Sequence, residues 1–299
     1  MSTPNITFLG IGLMGAPMAG RLLGNGFRVC AWNRSFAKAE ALAGRGAQAE
    51  PDLYEAVRNA DIVISMLESG TAVGEVIDAA LPALKPGALW IDMSSTRQDE
   101  AVAFNGRLEA LGFHFLDAPV SGGVVGAEAG TLAIMAGGSV QDFSLAEPVL
   151  QAMGRPMLVG PAGSGQVAKL CNQLIVGGTL NIIAEALLLA QAAGADPAAV
   201  RAAIRGGFAE SRILEVHGQR MLDRNFLPGG QVKSQLKDLQ NVLTAAADAG
   251  VVLPVTALVT EHYQSIAAEF ARADQSAALL AVEKLNPGRR LGAGPDQLP

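Results

Sequence analysis

The chain has 299 residues, more than one compact core usually holds and enough for two domains. Half of the residues are hydrophobic and 17% are charged, which excludes a disordered chain, and a net charge of -6 argues against non-specific binding to nucleic acid. Two cysteines, Cys30 and Cys171, are too few for a disulfide framework and lack metal-ligand spacing, so a reducing, cytoplasmic setting is expected.

Residues 1–5 hold no basic stretch ahead of an apolar core, so no signal peptide is expected. Residues 6–10, 27–32, 61–67, 88–93 and 113–117 are short β-rich runs bounded by turn residues such as Lys85-Pro86-Gly87 and Leu111-Gly112. Alanine-rich segments between them, such as 14–23 and 36–45, are predicted helices. Strands that alternate with helices predict a parallel sheet covered on both faces. Residues 132–136 and 157–159 are candidates to extend it.

After Gly160-Pro161-Ala162-Gly163 the texture changes, and nearly everything reads as helix: 168–193, 197–205, 213–223, 234–250 and 254–270. The boundary is placed near Pro161, giving domains 1–162 and 163–299. The apolar run 174–193 has the length of a membrane helix but carries Asn181, Glu185 and Gln191, so a buried helix off the membrane is expected. Residues 286–299 are rich in Gly and Pro and are expected to fray.

The first strand runs into Gly10-Ile11-Gly12-Leu13-Met14-Gly15, a G-x-G-x-x-G at the start of a helix. The glycines permit a tight turn, close approach of backbone to a pyrophosphate, and helix–strand packing. The helix start offers free N–H groups and a positive dipole end to phosphate. With its flanking strand, helix and second strand, this predicts a Rossmann doubly wound α/β domain followed by an all-α domain. The second strand ends at Asn33-Arg34-Ser35. An acidic residue there would bind a ribose 2′-OH, whereas a guanidinium pairs with a 2′-phosphate, so NADP is expected as cofactor, with NAD as the second option.

Two further stretches carry candidate chemistry. Asp117-Ala118-Pro119-Val120-Ser121-Gly122-Gly123 follows a strand, and its serine and glycines expose N–H groups and a hydroxyl that suit a carboxylate; an ordinary structural turn has the same composition. Lys169 and Asn172 are three apart on a predicted helix and share a face. A lysine among small apolar residues is partly desolvated, which favours acid–base work near neutrality, although many such lysines only extend their head to water.

Together these residues carry a resemblance. Over residues 6–285 the sequence resembles the β-hydroxyacid dehydrogenase family, which includes 3-hydroxyisobutyrate dehydrogenases, tartronate semialdehyde reductases and glyoxylate/succinic semialdehyde reductases. The resemblance lies in residues 10–20, 117–123 and 165–173 and in Lys237-Asp238-Leu239. It implies that Lys169 is the catalytic acid/base, that Ser121, Gly122 and Gly123 grip the substrate carboxylate, and that Asn172 orients substrate. It further implies that Lys237 and Asp238 lie near the cofactor, and that Thr96, Met66 and Leu67 line the nicotinamide side. Asn172-Gln173 and residues 204–207 and 221–226 look most like tartronate semialdehyde reductases. Many members have a second Asn where Gln173 stands and an aromatic where this chain has Gly230, which removes one wall of a substrate pocket.

Other candidates are weaker. His114, His217 and His262 are scattered, so no metal or triad is expected. Glu185 is expected to be a buried, partnered carboxylate, and Trp32 and Trp90 to pack on the sheet. The expected function is an NADP(H)-preferring oxidoreductase that interconverts a short β-hydroxyacid and its semialdehyde (tartronate semialdehyde, 3-hydroxyisobutyrate or related), with Lys169 as general acid/base. The alternatives are an imine reductase, which the retained Lys169 disfavours, and a non-catalytic dinucleotide-binding module. No nucleic-acid or membrane partner is expected, and long apolar helices predict a homodimer or homotetramer.

Overall fold

The structure, a computed structural model, describes residues 3–299. Met1 and Ser2, part of the stretch read for a leader, lie outside the described residues. The chain divides into two compact units, Met1–Lys169 and Leu170–Pro299. This division falls within a helix, later than the boundary read from the sequence.

In the first unit, β-branched and apolar runs form β1 (Asn5–Leu9), β2 (Arg28–Trp32), β3 (Gln48–Ala49), β4 (Ile62–Ser65), β5 (Leu89–Asp92), β6 (His114–Asp117), β7 (Val120–Ser121), β8 (Leu132–Gly138) and β9 (Gly154–Gly160). Between them run α1 (Gly15–Gly24), α2 (Phe36–Glu40), α3 (Leu53–Val57), α4 (Gly70–Ala80), α5 (Gln98–Ala110), α6 (Gly123–Ala129) and α7 (Val140–Gln151). The predicted helix over 36–45 is broken: α2 is followed by a separate 3₁₀ turn, Ala43–Arg45.

The sheet order is β3-β2-β1-β4-β5-β6-β8-β7, with β9 beside β8. From β3 to β6 all pairs are parallel, the doubly wound order of dinucleotide-binding domains. Alternate residues serve opposite faces. Phe8, Ile64, Ile91 and Leu116 join one buried cluster, whereas Leu9, Val63, Trp90 and Phe115 join another. Helices therefore cover both sides. Trp90 donates its indole N–H to Ser65 Oγ at 2.9 Å, and Trp32 to the Pro51 carbonyl at 3.1 Å, consistent with sheet packing.

Beyond β6 the sheet is mixed, although β9 is again parallel to β8. There β8 runs antiparallel to β6 and β7. The chain reverses between β7 and β8 through α6, and this short link cannot make a parallel crossover.

The helix α8 (Ser164–Ala192) starts in the first unit and continues into the second. It begins earlier than predicted because its cap comes from β6, as described below. The second unit is otherwise built from α9 (Pro197–Ala203), α10 (Arg212–Leu222), α11 (Val232–Asp248), α12 (Pro254–Phe270) and α13 (Ala278–Leu285). Leu180, Ala184 and Leu187 of α8 pack in one core with Phe226, Leu239, Tyr263 and Leu279. The helix α13 has no two-sided pattern to read: residues 278–282 are all buried.

Two expectations are corrected here. Glu185 is exposed, and so are Ile175, Ile182 and Leu189, so α8 is not buried all round. The tail does not fray. Arg224, itself buried, pairs with Glu283 at 2.7 Å and with Asp296, and donates to the Leu291 carbonyl at 2.8 Å. Phe226 N–H donates to Gln297 O, and Gln297 N–H to Arg224 O, each at 2.9 Å. A buried guanidinium has to be paired, and the tail supplies the partners.

Candidate active site

The register of the first unit brings Leu9, Ser65, Asp92 and Asp117 to one line at the carboxyl ends of β1, β4, β5 and β6. Ligands of open α/β sheets bind along this edge. The loop after β1 has the expected division of labour. Gly10 holds φ +100°, and a Cβ there would run into the Met66 carbonyl. A Cβ at Gly15 would run into Gly10 O, whereas one at Gly12 would meet open space. The bare Gly12 backbone and the start of α1 thus fit a pyrophosphate. Ile11 N–H donates to Asn33 Oδ1 at 2.9 Å, and Asn33 Nδ2 donates to Ser35 O at 3.1 Å. Asn33 therefore braces the turn, and Leu13 and Arg34 stand exposed beside it. Met14 is the residue that precedes α1.

The next loops are organised by a buried carboxyl. Asp92 Oδ1 accepts from Ser65 Oγ at 2.8 Å and from Ser94 N–H at 3.2 Å. Ser94 Oγ accepts from Leu67 N–H at 2.9 Å, and Met66 N–H donates to Leu9 O at 2.9 Å. Burial pushes Asp92 up to about 7, and the Asp117 charge adds to this against the serine donors. Thr96 Oγ1 is enclosed without a hydrogen-bond partner, which fits a polar group that only a bound cofactor supplies.

The serine–glycine turn and Lys169 come together. Gly122 and Gly123 hold φ +141° and +62°, which L side chains rarely adopt, and Ser121 precedes them on β7. Lys169 is 9% exposed, and its Nζ donates to the Val120 carbonyl at 2.9 Å. The ammonium is thus desolvated and aimed at the residue before Ser121. Asp117 anchors the helix that carries it. Its Oδ1 accepts from Gly163 N–H at 2.7 Å and its Oδ2 from Gln166 N–H at 2.8 Å. Burial raises Asp117 to about 6, although these backbone donors pull it down.

In the second unit, Asn172 Nδ2 donates to Gln173 Oε1 at 2.8 Å, and Gln173 Nε2 donates to Asp238 Oδ2 at 2.7 Å and Gln235 Oε1 at 3.2 Å. Lys237 pairs with Asp238 at 3.3 Å. The departure at Gln173 is therefore the bridge that joins Asn172 to the Lys237-Asp238 pair. Gly230 lies in a turn held by Asp274, with its N–H 3.2 Å from Asp274 Oδ2, and a Cβ there would approach Gln275 Nε2 to 3.1 Å. The three histidines have separate partners, Asp142, Asp274 and Asn181.

Residues 5–171 match the family described as the NAD binding domain of 6-phosphogluconate dehydrogenase. Residues 163–282 match the one described as NAD-binding of NADP-dependent 3-hydroxyisobutyrate dehydrogenase. The 2-hydroxy-3-oxopropionate reductase of Escherichia coli K12 is 39% identical over 281 residues, 92% of this chain and 96% of that protein. The chain belongs to the β-hydroxyacid dehydrogenase family. A solved relative, the Mycobacterium tuberculosis 3-hydroxyisobutyrate dehydrogenase with L-serine, is 33% identical and aligns with a TM-score of 0.88 over 96% of this chain and 100% of that one. The imine reductase from Pseudomonas sp., at 20% identity and TM-score 0.63 over 94% of this chain and 100% of that one, shares the fold.

This β-hydroxyacid dehydrogenase is an NAD(P)-dependent oxidoreductase. Its Gln235, Asp92 and Ser94 did not stand out in the sequence, and Gln166 lay within residues 165–173 without a role of its own. Each is buried and polar, and its partners lie on other elements, so no local spacing marks it. Asp117 was visible within its motif, but without its function as the cap of α8.

Proposed function

We propose that the protein is an NADP(H)-preferring oxidoreductase that interconverts a short β-hydroxyacid and its semialdehyde, with tartronate semialdehyde, 3-hydroxyisobutyrate and their relatives as the substrate class. The observation that carries this reading is the buried Lys169 ammonium donating to Val120 O, one residue from Ser121. Gly10–Gly15 and the start of α1 hold the pyrophosphate, Arg34 takes the 2′-phosphate, and Met66, Leu67 and Thr96 line the nicotinamide. Lys237 and Asp238 complete the cofactor set. When bound, NADPH supplies the hydride.

Ser121, Gly122 and Gly123 hold the substrate carboxylate through a hydroxyl and backbone N–H groups. Lys169 gives its proton from Nζ to the carbonyl oxygen as that oxygen becomes a hydroxyl, and recovers one from solvent. Val120 O keeps the ammonium oriented between turnovers. Asn172, held by Gln173, orients the substrate. In the reverse direction neutral Lys169 takes the hydroxyl proton.

The test is NADPH oxidation with tartronate semialdehyde, glyoxylate, succinic semialdehyde and methylmalonate semialdehyde, repeated with NADH. Turnover of at least one aldehyde, faster with NADPH, supports the reading. No turnover with any of them overturns it.

The same reading includes a homo-oligomer in the cytoplasm. Ile175, Ile182 and Leu189 are more than half exposed in the single chain and recur every seven residues, which makes one apolar stripe along α8. A second copy is the proposed cover, as a homodimer or a homotetramer built from it. Light scattering should give a multiple of the 30.7 kDa chain mass, and Ile182→Glu should lower it. The cytoplasmic setting rests on Cys30 and Cys171 being free thiols, and cell fractionation checks it.

A further inference from the structure

Gln166 is 0% exposed, yet it carries an amide, and a buried amide is costly unless both ends are bonded. Both ends are bonded, and to a single loop. Its Oε1 accepts from Thr96 N–H at 3.1 Å, and its Nε2 donates to Ser94 O at 2.8 Å. Its own backbone N–H is held by Asp117 Oδ2 at 2.8 Å. The loop it grips follows β5 and holds Thr96, with its unpartnered hydroxyl, and Ser94, whose Oγ in turn holds Leu67 N–H. Lys169 stands three residues further along α8, on the same side of the helix. One side chain thus joins the loop expected to line the nicotinamide to the helical turn that carries the proposed proton donor.

We propose that Gln166 is a positioning residue that couples the Ser94–Thr96 loop to Lys169, so that nicotinamide contact and proton donation are set by one buried amide. An apolar residue of the same length would fill the space and fasten the helix by packing. It would leave Thr96 N–H and Ser94 O unpaired, and each would turn toward other partners and carry the loop away from the helix. Asp117 fixes the helical turn from beneath, through backbone N–H groups, but touches neither Ser94 nor Thr96 by any of its bonds to α8. The coupling therefore runs through the Gln166 side chain. This inference rests on the reading of Lys169 as the general acid.

The test is a double-mutant cycle on the full chain, with the aldehyde that the wild-type protein reduces fastest. Gln166→Met should lower kcat by on the order of 10- to 100-fold, the scale of a displaced catalytic group. It should also weaken NADPH binding in a fluorescence titration, a readout that Lys169→Ala should leave unchanged. The double variant should lose clearly less than the product of the two single losses, because the share of the Gln166 loss that runs through Lys169 is already gone. If the two losses multiply, or if folded Gln166→Met keeps wild-type kcat and NADPH affinity, Gln166 is only a structural fastener and the inference fails. Should Gln166→Met not fold, Gln166→Glu carries the same cycle: it keeps the acceptor for Thr96 N–H and loses the donor to Ser94 O. Near-wild-type turnover in Lys169→Ala alone sinks the reading of the lysine instead, so the two failures are distinct.

Discussion

Asp92 and Asp117 are partners in register at the carboxyl ends of β5 and β6, and both are fully enclosed. Burial lifts Asp92 from 3.8 to about 7 and Asp117 from 3.8 to about 6. The folded state therefore holds protons that the unfolded chain has released between about pH 4 and 7. Stability falls as pH rises through that window, by on the order of a few kcal/mol. Asp92→Asn keeps the acceptor for Ser65 and Ser94 but cannot ionise. Urea unfolding should show its advantage over wild type widening from pH 5 to pH 8. Equal pH slopes for the two proteins would count against a protonated Asp92.

Lys169→Ala should lower kcat by on the order of 10²–10⁴-fold, the usual worth of a positioned proton donor. NADPH affinity should barely change, because the phosphates are assigned to Gly10–Gly15. Lys169→Arg should stay slow: a guanidinium keeps the charge but does not release its proton near neutral pH. Steady-state kinetics with a circular-dichroism check of folding decide this. Substantial rescue by arginine would reduce Lys169 to an anchor for the substrate anion.

Arg34 is exposed beside the brace that Asn33 makes to Ile11 and Ser35. Arg34→Asp, with Asn33 kept, should lose a charged hydrogen bond to the 2′-phosphate, weakening NADPH by on the order of 10- to 100-fold. NADH should gain from the new acceptor for its 2′-OH. The ratio of kcat/KM for the two cofactors reports this, and a wild-type preference for NADH would contradict the assignment of this turn.

The guanidinium of Arg224 is the hub of the tail, with Glu283, Asp296 and Leu291 O around it. Arg224→Met should destabilise the protein by about 3 kcal/mol, since it leaves the carboxylate of Glu283 with less compensation. Hydrogen exchange should show residues 291–297 losing protection before the rest. A tail that stays protected in this variant would mean that its backbone bonds to residues 224–226 suffice.

Much of the site was legible because it is local. The loop at residues 10–15 needs glycine for reasons of close approach, and a strand before it and a helix after it can be read from periodicity. Likewise Ser121 to Gly123 are adjacent, and Lys169 and Asn172 share a helix face. What the spacing did not reveal is how these stretches are held. Asn33 stands where an acid is common, and its side chain braces the turn through Ile11 and Ser35. Gln173 departs from the usual asparagine and turns out to tie Asn172 to Asp238.

The sequence by itself determined the alternation of strands and helices, the glycine-rich loop after β1 and the candidates for chemistry, because each depends on neighbours within a few positions. Only the tertiary structure decided where α8 begins, since its cap, Asp117, lies on β6. Tertiary contacts also set β8 antiparallel to β6, left Glu185 exposed, and pinned the glycine- and proline-rich tail to Arg224. The cap of α8 and the pinned tail each pair a buried polar group with a partner far away in the chain, and such a partner leaves no mark in local composition or period.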